Sequence, residues 1–217
     1  MDALRASTAD LVARAAALAD RGDPRTVLGL AGPPGAGKST LAAALVDALG
    51  PRRAVLVPMD GFHLADAVLG ALGRRGRKGA PDTFDAGGYA ALLRRLRAQP
   101  DAGPEDDVVY APEFRREIEE PVGSALPVPR DVPLVVTEGN YLLLREGPWA
   151  ALEGLLDETW YLEVPPAVRL PRLVARHERF GRDPEAARAW AGGSDEANAR
   201  VVAAGRDRAD LVVALDG

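Results

Sequence analysis

Cysteine is absent from the 217-residue chain, which excludes a disulfide framework, a thiolate metal site and thiol redox chemistry. Lysine is nearly absent too: of 27 basic residues only Lys38 and Lys78 are lysine, and every other is arginine. No segment reaches the roughly 18 consecutive apolar residues that a membrane span needs. The N-terminal stretch, interrupted by Asp10, Arg14 and Asp20, lacks the basic region and apolar core of a secretory signal. A cytoplasmic protein without a membrane partner is therefore expected. A basic surplus is missing as well. With 32 acidic residues, a net charge of −5 and a pI near 5.2, the composition argues against a nonspecific nucleic-acid binder. The only histidines are His63 and His177. No His, Asp and Glu residues show structural zinc spacing, and the RHERF around His177 lacks the second histidine of a zincin.

What is present is concentrated in one stretch. Gly32-Pro33-Pro34-Gly35-Ala36-Gly37-Lys38-Ser39-Thr40 follows the apolar run 26–31 and precedes a helical pattern that ends at Leu49. This spacing is that of a phosphate-binding loop. Its glycines let backbone N–H groups turn inward around an anion, and the helix N-terminus behind them adds partial positive charge. Lys38 can then reach the β- and γ-phosphates of a nucleotide, and Ser39 can hold Mg²⁺. A chance match in a chain with 23 glycines does not explain a strand before the motif and a helix after it. Arginine is the default cation here, so a lysine marks a place that wants a compact ammonium on a flexible stem. Lys38 meets that need, and Lys78 is either a second contact to substrate or phosphate or a surface residue.

Periodicity predicts helices over 3–21, 41–49, 64–72, 86–98, 148–155, 166–180 and 184–205, and strands over 26–31, 54–59, 108–110, 132–137, 158–164 and 211–215. Residues 111–130 read as irregular, with room for a small hairpin over the site. Strands alternating with helices give an α/β three-layer fold, one domain with a mostly parallel sheet. Ligands bind at the carboxyl ends of such strands, a rule that draws Gly32, Asp60 and Glu138 to one crevice. Asp60 is read as a general base that accepts the proton of an attacking hydroxyl, in preference to a helix cap. Glu138 is read as the acidic partner of Mg²⁺. His63 either contacts substrate or packs under the short helix. Tyr110, Arg115 and Arg116 either line an acceptor pocket or form structural ion pairs. His177 reads as a surface residue, and Asp195 and Asn198 as caps or surface.

The phosphate loop, MDGFH at 59–63, KGAPDTFD at 78–85, TEGNYLLL at 137–144 and RLPRLVARHERFGRD at 169–183 together resemble the phosphoribulokinase/uridine kinase family of P-loop kinases, from about residue 26 to 215. KGAPDTFD is most similar to the pantothenate kinase version, and the arginine-rich stretch to the lid of uridine kinases. The resemblance implies transfer of the ATP γ-phosphoryl group to a hydroxyl of a small metabolite of nucleoside, pantothenate or sugar type. Asp60, Lys38 and Arg172 would be catalytic, Ser39 and Glu138 would serve Mg²⁺, and the loop 32–40 with Arg176 and Arg182 would bind the nucleotide under a helical lid at about 169–184. Asp60, His63, Lys78, Tyr110 and Arg115 are the expected acceptor contacts. Ala80 stands where uridine kinases commonly carry histidine, and Tyr110 precedes Ala-Pro-Glu in place of the usual tyrosine-aspartate pair, departures that count against uridine or cytidine as the acceptor. The alternative function is a regulatory NTPase that hydrolyses ATP to drive a conformational switch. It fits less well, because the guanine-reading NKxD and the LSGGQ motif are both missing. A homodimer is left open.

Overall fold

The computed structural model describes residues 2–215. Six parallel strands form one sheet, in the order β1 (Leu4–Ala6), β8 (Leu211–Leu215), β7 (Glu158–Leu162), β2 (Thr26–Ala31), β6 (Leu134–Gly139), β3 (Ala54–Leu56). The central strands read as unbroken apolar runs because both faces are covered. The period of two still sorts them. Val27, Val135 and Tyr161 face a core that includes Tyr89 and Leu93 of α4 (Ala86–Ala98) and Val202 of α7 (Glu196–Ala203). Leu28, Leu30, Val136 and Trp160 face the opposite core, with Leu11 and Leu18 of α1 (Thr8–Ala19) and Leu41 and Leu45 of α2 (Lys38–Leu49). The α/β three-layer expectation holds.

Several boundaries differ from the expectation. The first helix begins at Thr8, where Ser7 and Asp10 form a reciprocal cap. Residues 4–6 are instead an edge strand beside β8, a role no local pattern signals. The second strand stops at Leu56, and Met59–Phe62 coil into a 3₁₀ turn that carries Asp60. The expected helix over 148–155 is a 3₁₀ segment, Gly147–Leu152. The expected helix over 184–205 is split into α6 (Pro184–Trp190) and α7 by a π-turn at Ala191–Asp195, where Gly192-Gly193 weakens helix continuity.

The stretch read as irregular, with room for a small hairpin, holds a hairpin that begins before it. Val108–Arg115 (β4) and Glu120–Pro129 (β5) pair as a separate antiparallel ribbon, with the register shifted between Ala111 and Glu113. Gly61 fixes this ribbon against the Asp60 turn: a Cβ on Gly61 would lie 2.3 Å from the Pro112 carbonyl oxygen. The remaining helices are α3 (Asp66–Ala71) and α5 (Pro166–Arg179).

Candidate active site

The carboxyl ends of β2, β6 and β3 lie side by side and open into a cleft of about 680 Å³. Its floor is the phosphate loop. Gly35 adopts φ +80°, and a Cβ there would meet Leu173 Cγ at 2.8 Å, so the crown of the loop fits directly under α5. Lys38 is buried, and its Nζ donates to the carbonyls of Gly32 (2.9 Å) and Pro33 (3.1 Å) and to Asn140 Oδ1 (2.8 Å). Burial pushes this ammonium down to about 8 against the pull of Glu138 and Asp60. Ser39 Oγ donates to Glu138 Oε1 at 2.9 Å. Burial, followed by repulsion from Asp60, pushes the Glu138 carboxyl up.

Asp60 also lines the cleft, and Arg116 Nη2 donates to its Oδ2 at 3.0 Å. Burial alone would raise the Asp60 carboxyl. The positive groups around it, His63 first and then Arg116, Lys38 and Arg176, prevail and hold it below the ordinary carboxylate range. His63 Nδ1 sits 2.8 Å from the Asp60 carbonyl oxygen, which can only accept, so the proton is on Nδ1. Its ring packs at a tilt against Phe84 (4.0 Å between ring centres) and Phe114 (4.6 Å). The opposite wall is α5 and the residues after it. Arg172, Arg176 and Arg182 all line the cleft. Burial, then Arg116, pushes the Arg176 guanidinium down, and Arg182 rests over the Trp190 ring at 4.0 Å.

Thus Lys38, Ser39, Thr40, Asp60, His63, Lys78, Glu138, Arg172, Arg176 and Arg182 meet in one cleft. Tyr110 and Arg115 do not. Tyr110 is exposed on β4, and Arg115 pairs outward with Glu113 at 3.4 Å. The hairpin arginine that turns inward is its neighbour Arg116. Lys78 reaches the cleft but is engaged by Asp66 Oδ1 at 2.5 Å and by the Glu119 carbonyl. His177 is not a surface residue: its Nε2 donates to Asp195 Oδ2 at 2.7 Å, with both side chains largely buried. Asp195 and Asn198 are buried and line the cleft as well. Asn140, Arg116 and Asp195 line the cleft although the sequence gives them no fixed role. Arg116 carries a signal as one of two adjacent arginines near Tyr110, and Asn140 by directly following Glu138-Gly139.

The oxygen donors suit a hard cation. Among the described residues no cluster of three or more His, Cys, Asp or Glu side chains could hold a metal alone. Ser39 Oγ and Glu138 Oε1 fit Mg²⁺, which is usually held by one or two protein oxygens together with phosphates. No helix among the described residues is long and apolar enough to cross a membrane.

No protein-family model matches the chain. It is 37% identical to a candidate fructose transport system kinase from Silicibacter sp. TM1040, whose solved structure gives a TM-score of 0.83 over 95% of this chain and 98% of that one. It is 37% identical over 161 residues to a candidate uridine kinase of Schizosaccharomyces pombe, covering 70% of this chain and 66% of the relative. It is also 36% identical over 135 residues to the ATP-dependent kinase-like protein notR' of Aspergillus versicolor, covering 60% of this chain and 77% of that one. The parallel sheet, the phosphate loop and the cleft above it define a P-loop kinase. The chain belongs to the phosphoribulokinase/uridine kinase family of ATP-dependent P-loop kinases.

Proposed function

We propose that the protein transfers the γ-phosphoryl group of ATP to a hydroxyl of a small metabolite of sugar, nucleoside or pantothenate type, with Asp60 as general base. The observation that carries this reading is the Asp60 carboxylate, ion-paired to Arg116 at 3.0 Å in the same cleft as Lys38 and Ser39. A carboxylate kept ionised is able to accept a proton. In a loose transition state the hydroxyl becomes acidic only as its oxygen bonds to phosphorus, so a weak base that is well placed suffices. The phosphate loop and Lys38 cradle the β- and γ-phosphates, and Lys38 exchanges its bonds to Gly32 and Pro33 for phosphate oxygens. Arg172, Arg176 and Arg182 offset the charge of the transferring group and exclude water from it. Ser39 and Glu138 would hold Mg²⁺, which neutralises phosphate charge, and a cation there would relieve the repulsion between Glu138 and Asp60.

Two relatives are described as candidate kinases linked to fructose transport and to uridine, so both acceptor classes belong in the test. ADP release from Mg-ATP is measured with D-fructose and other hexoses, pentoses, nucleosides, pantothenate and glycerate, with mass spectrometry of the products. One acceptor is expected to give turnover that Asp60→Asn loses. Slow hydrolysis indifferent to every acceptor would overturn the kinase chemistry proposed here and favour an NTPase switch.

A further inference from the structure

The ribbon β4–β5 reaches the cleft at its tip, residues 115–120, and three contacts fasten that tip. Arg116 Nη2 donates to Asp60 Oδ2 at 3.0 Å. Glu120 accepts from the Asp66 backbone N–H, at 3.0 Å to Oε1 and 3.1 Å to Oε2. Lys78, held by Asp66 Oδ1 at 2.5 Å, donates to the Glu119 carbonyl. Glu119 has φ +52°, a conformation that a residue with a Cβ seldom adopts unless its surroundings impose it. The tip is thus bent toward Asp60 and tied down on both sides of α3. Arg116 is braced as well, with its guanidinium over the Phe114 ring at 5.4 Å.

We infer that Arg116 is a positioning residue for phosphoryl transfer, fixing the orientation and the charge of the Asp60 carboxylate, and that Lys78 is the tether that keeps Arg116 in place through the hairpin tip. The inference rests on the reading of Asp60 as the base. It moves Lys78 from the expected substrate contact to a support. It also explains why a lysine suits this place: a single ammonium on a flexible stem spans from a carboxylate to a carbonyl, which a rigid fork does less readily. The groups that face Asp60 are His63 on its own turn, Arg116 from the hairpin, Lys38 from α2, Arg176 from α5, and Glu138 and Tyr141 from β6 and the residues after it. Of these, Arg116 has a direct ion pair to the carboxylate.

The test reads the carboxyl itself. The full chain is labelled with [4-¹³C]aspartate, the Asp60 resonance is identified as the one missing from Asp60→Asn, and its titration is followed by NMR. An opposite charge at this distance lowers a carboxyl by roughly one to three pH units. Arg116→Gln is therefore expected to move the Asp60 midpoint upward by about one unit or more, and Arg116→Lys to restore part of the shift. Lys78→Met is expected to move it in the same direction by less. A merely structural Arg116 would leave the midpoint where it is, and an unchanged midpoint in a folded Arg116→Gln protein overturns the inference. An unchanged midpoint in Lys78→Met overturns the tether. Full acceptor phosphorylation by Asp60→Asn, by contrast, overturns the base assignment, whatever the titration gives.

Discussion

Around Lys38 the cleft is made of one continuous segment and mostly of backbone, whereas around Asp60 it is made of side chains brought together from distant parts of the chain. On the phosphate-loop side, residues 32–40 supply the backbone, Lys38 bonds to carbonyls five and six residues before it, and the end of β6 adds Glu138 and the following Asn140. On the Asp60 side, Arg116 arrives from 56 residues away and Lys78 reaches Glu119 across 41. A loop made of backbone tolerates side-chain variation so long as its glycines remain. A wall made of long-range ion pairs fails when one partner is removed. On this asymmetry the ATP side depends on one local motif, whereas the acceptor side depends on each of its long-range partners.

The largest effects should separate the two sides. Asp60→Asn keeps the shape and removes the proposed base, so transfer should fall by about 10²- to 10⁴-fold while ATP binding, read by calorimetry, stays within a few-fold of the wild type. Lys38→Ala should lose on the order of 100- to 1,000-fold in transfer, and ATP affinity with it, because the buried cation serves both. If Asp60→Asn weakens ATP binding as much as Lys38→Ala does, the two sides are not separable and the comparison fails.

A pair of glycine substitutions sharpens the same point at smaller cost. Gly35→Ala places a Cβ 2.8 Å from Leu173 Cγ at φ +80°, a left-handed conformation worth about 1–2 kcal/mol of strain for a residue with a side chain. It should weaken ATP binding. Gly61→Ala places a Cβ 2.3 Å from the Pro112 carbonyl oxygen, an overpacking worth about 1–3 kcal/mol. It should pry the hairpin from the Asp60 turn, lowering kcat with the acceptor and sparing ATP affinity. Thermal melts and nucleotide titrations of the two variants give the check, and a loss of ATP affinity in Gly61→Ala would contradict it.

The same asymmetry explains what could be read from the sequence. The sheet, its helices and the phosphate loop are written in local pattern, and the rule of strand ends brings Gly32, Asp60 and Glu138 to one end of the sheet, where Asp60 and Glu138 line the cleft. The hairpin shows in the sequence only as an irregular stretch with room for one, without its extent or register. Its strands are interrupted by Pro112, Pro121, Pro127 and Pro129, which read as breaks but sit on a two-stranded ribbon whose edges tolerate proline. The register shift between Ala111 and Glu113 then defeats a count of alternating faces. That is why the sequence does not tell which of the adjacent Arg115 and Arg116 turns inward. Asp195 reads as a cap or surface residue for a similar reason: it lies in the π-turn at Ala191–Asp195, of which helical periodicity carries no sign, and His177 is drawn in only as its partner at 2.7 Å.

The smallest expected effect lies at the rim of the phosphate-loop side, where the backbone rule gives way to a side-chain contact. Arg182 precedes α6, whose first turn is capped by Asp183 accepting from the Glu185 and Ala186 N–H groups. The chain therefore folds back so that the guanidinium lies 4.0 Å from the centre of the ring at the other end of the same helix, Trp190. Such a cation–π contact is worth about 0.5–2 kcal/mol. If the ring holds Arg182 toward the phosphates, Trp190→Leu should raise the KM for ATP by roughly two- to tenfold with kcat little changed. Arg182→Ala should do at least as much. The double variant should be no worse than Arg182→Ala alone, because the ring acts only through the arginine. Additive losses in that cycle would mean that Trp190 touches the nucleotide itself, and the rim would then belong to the side-chain half of the cleft in its own right.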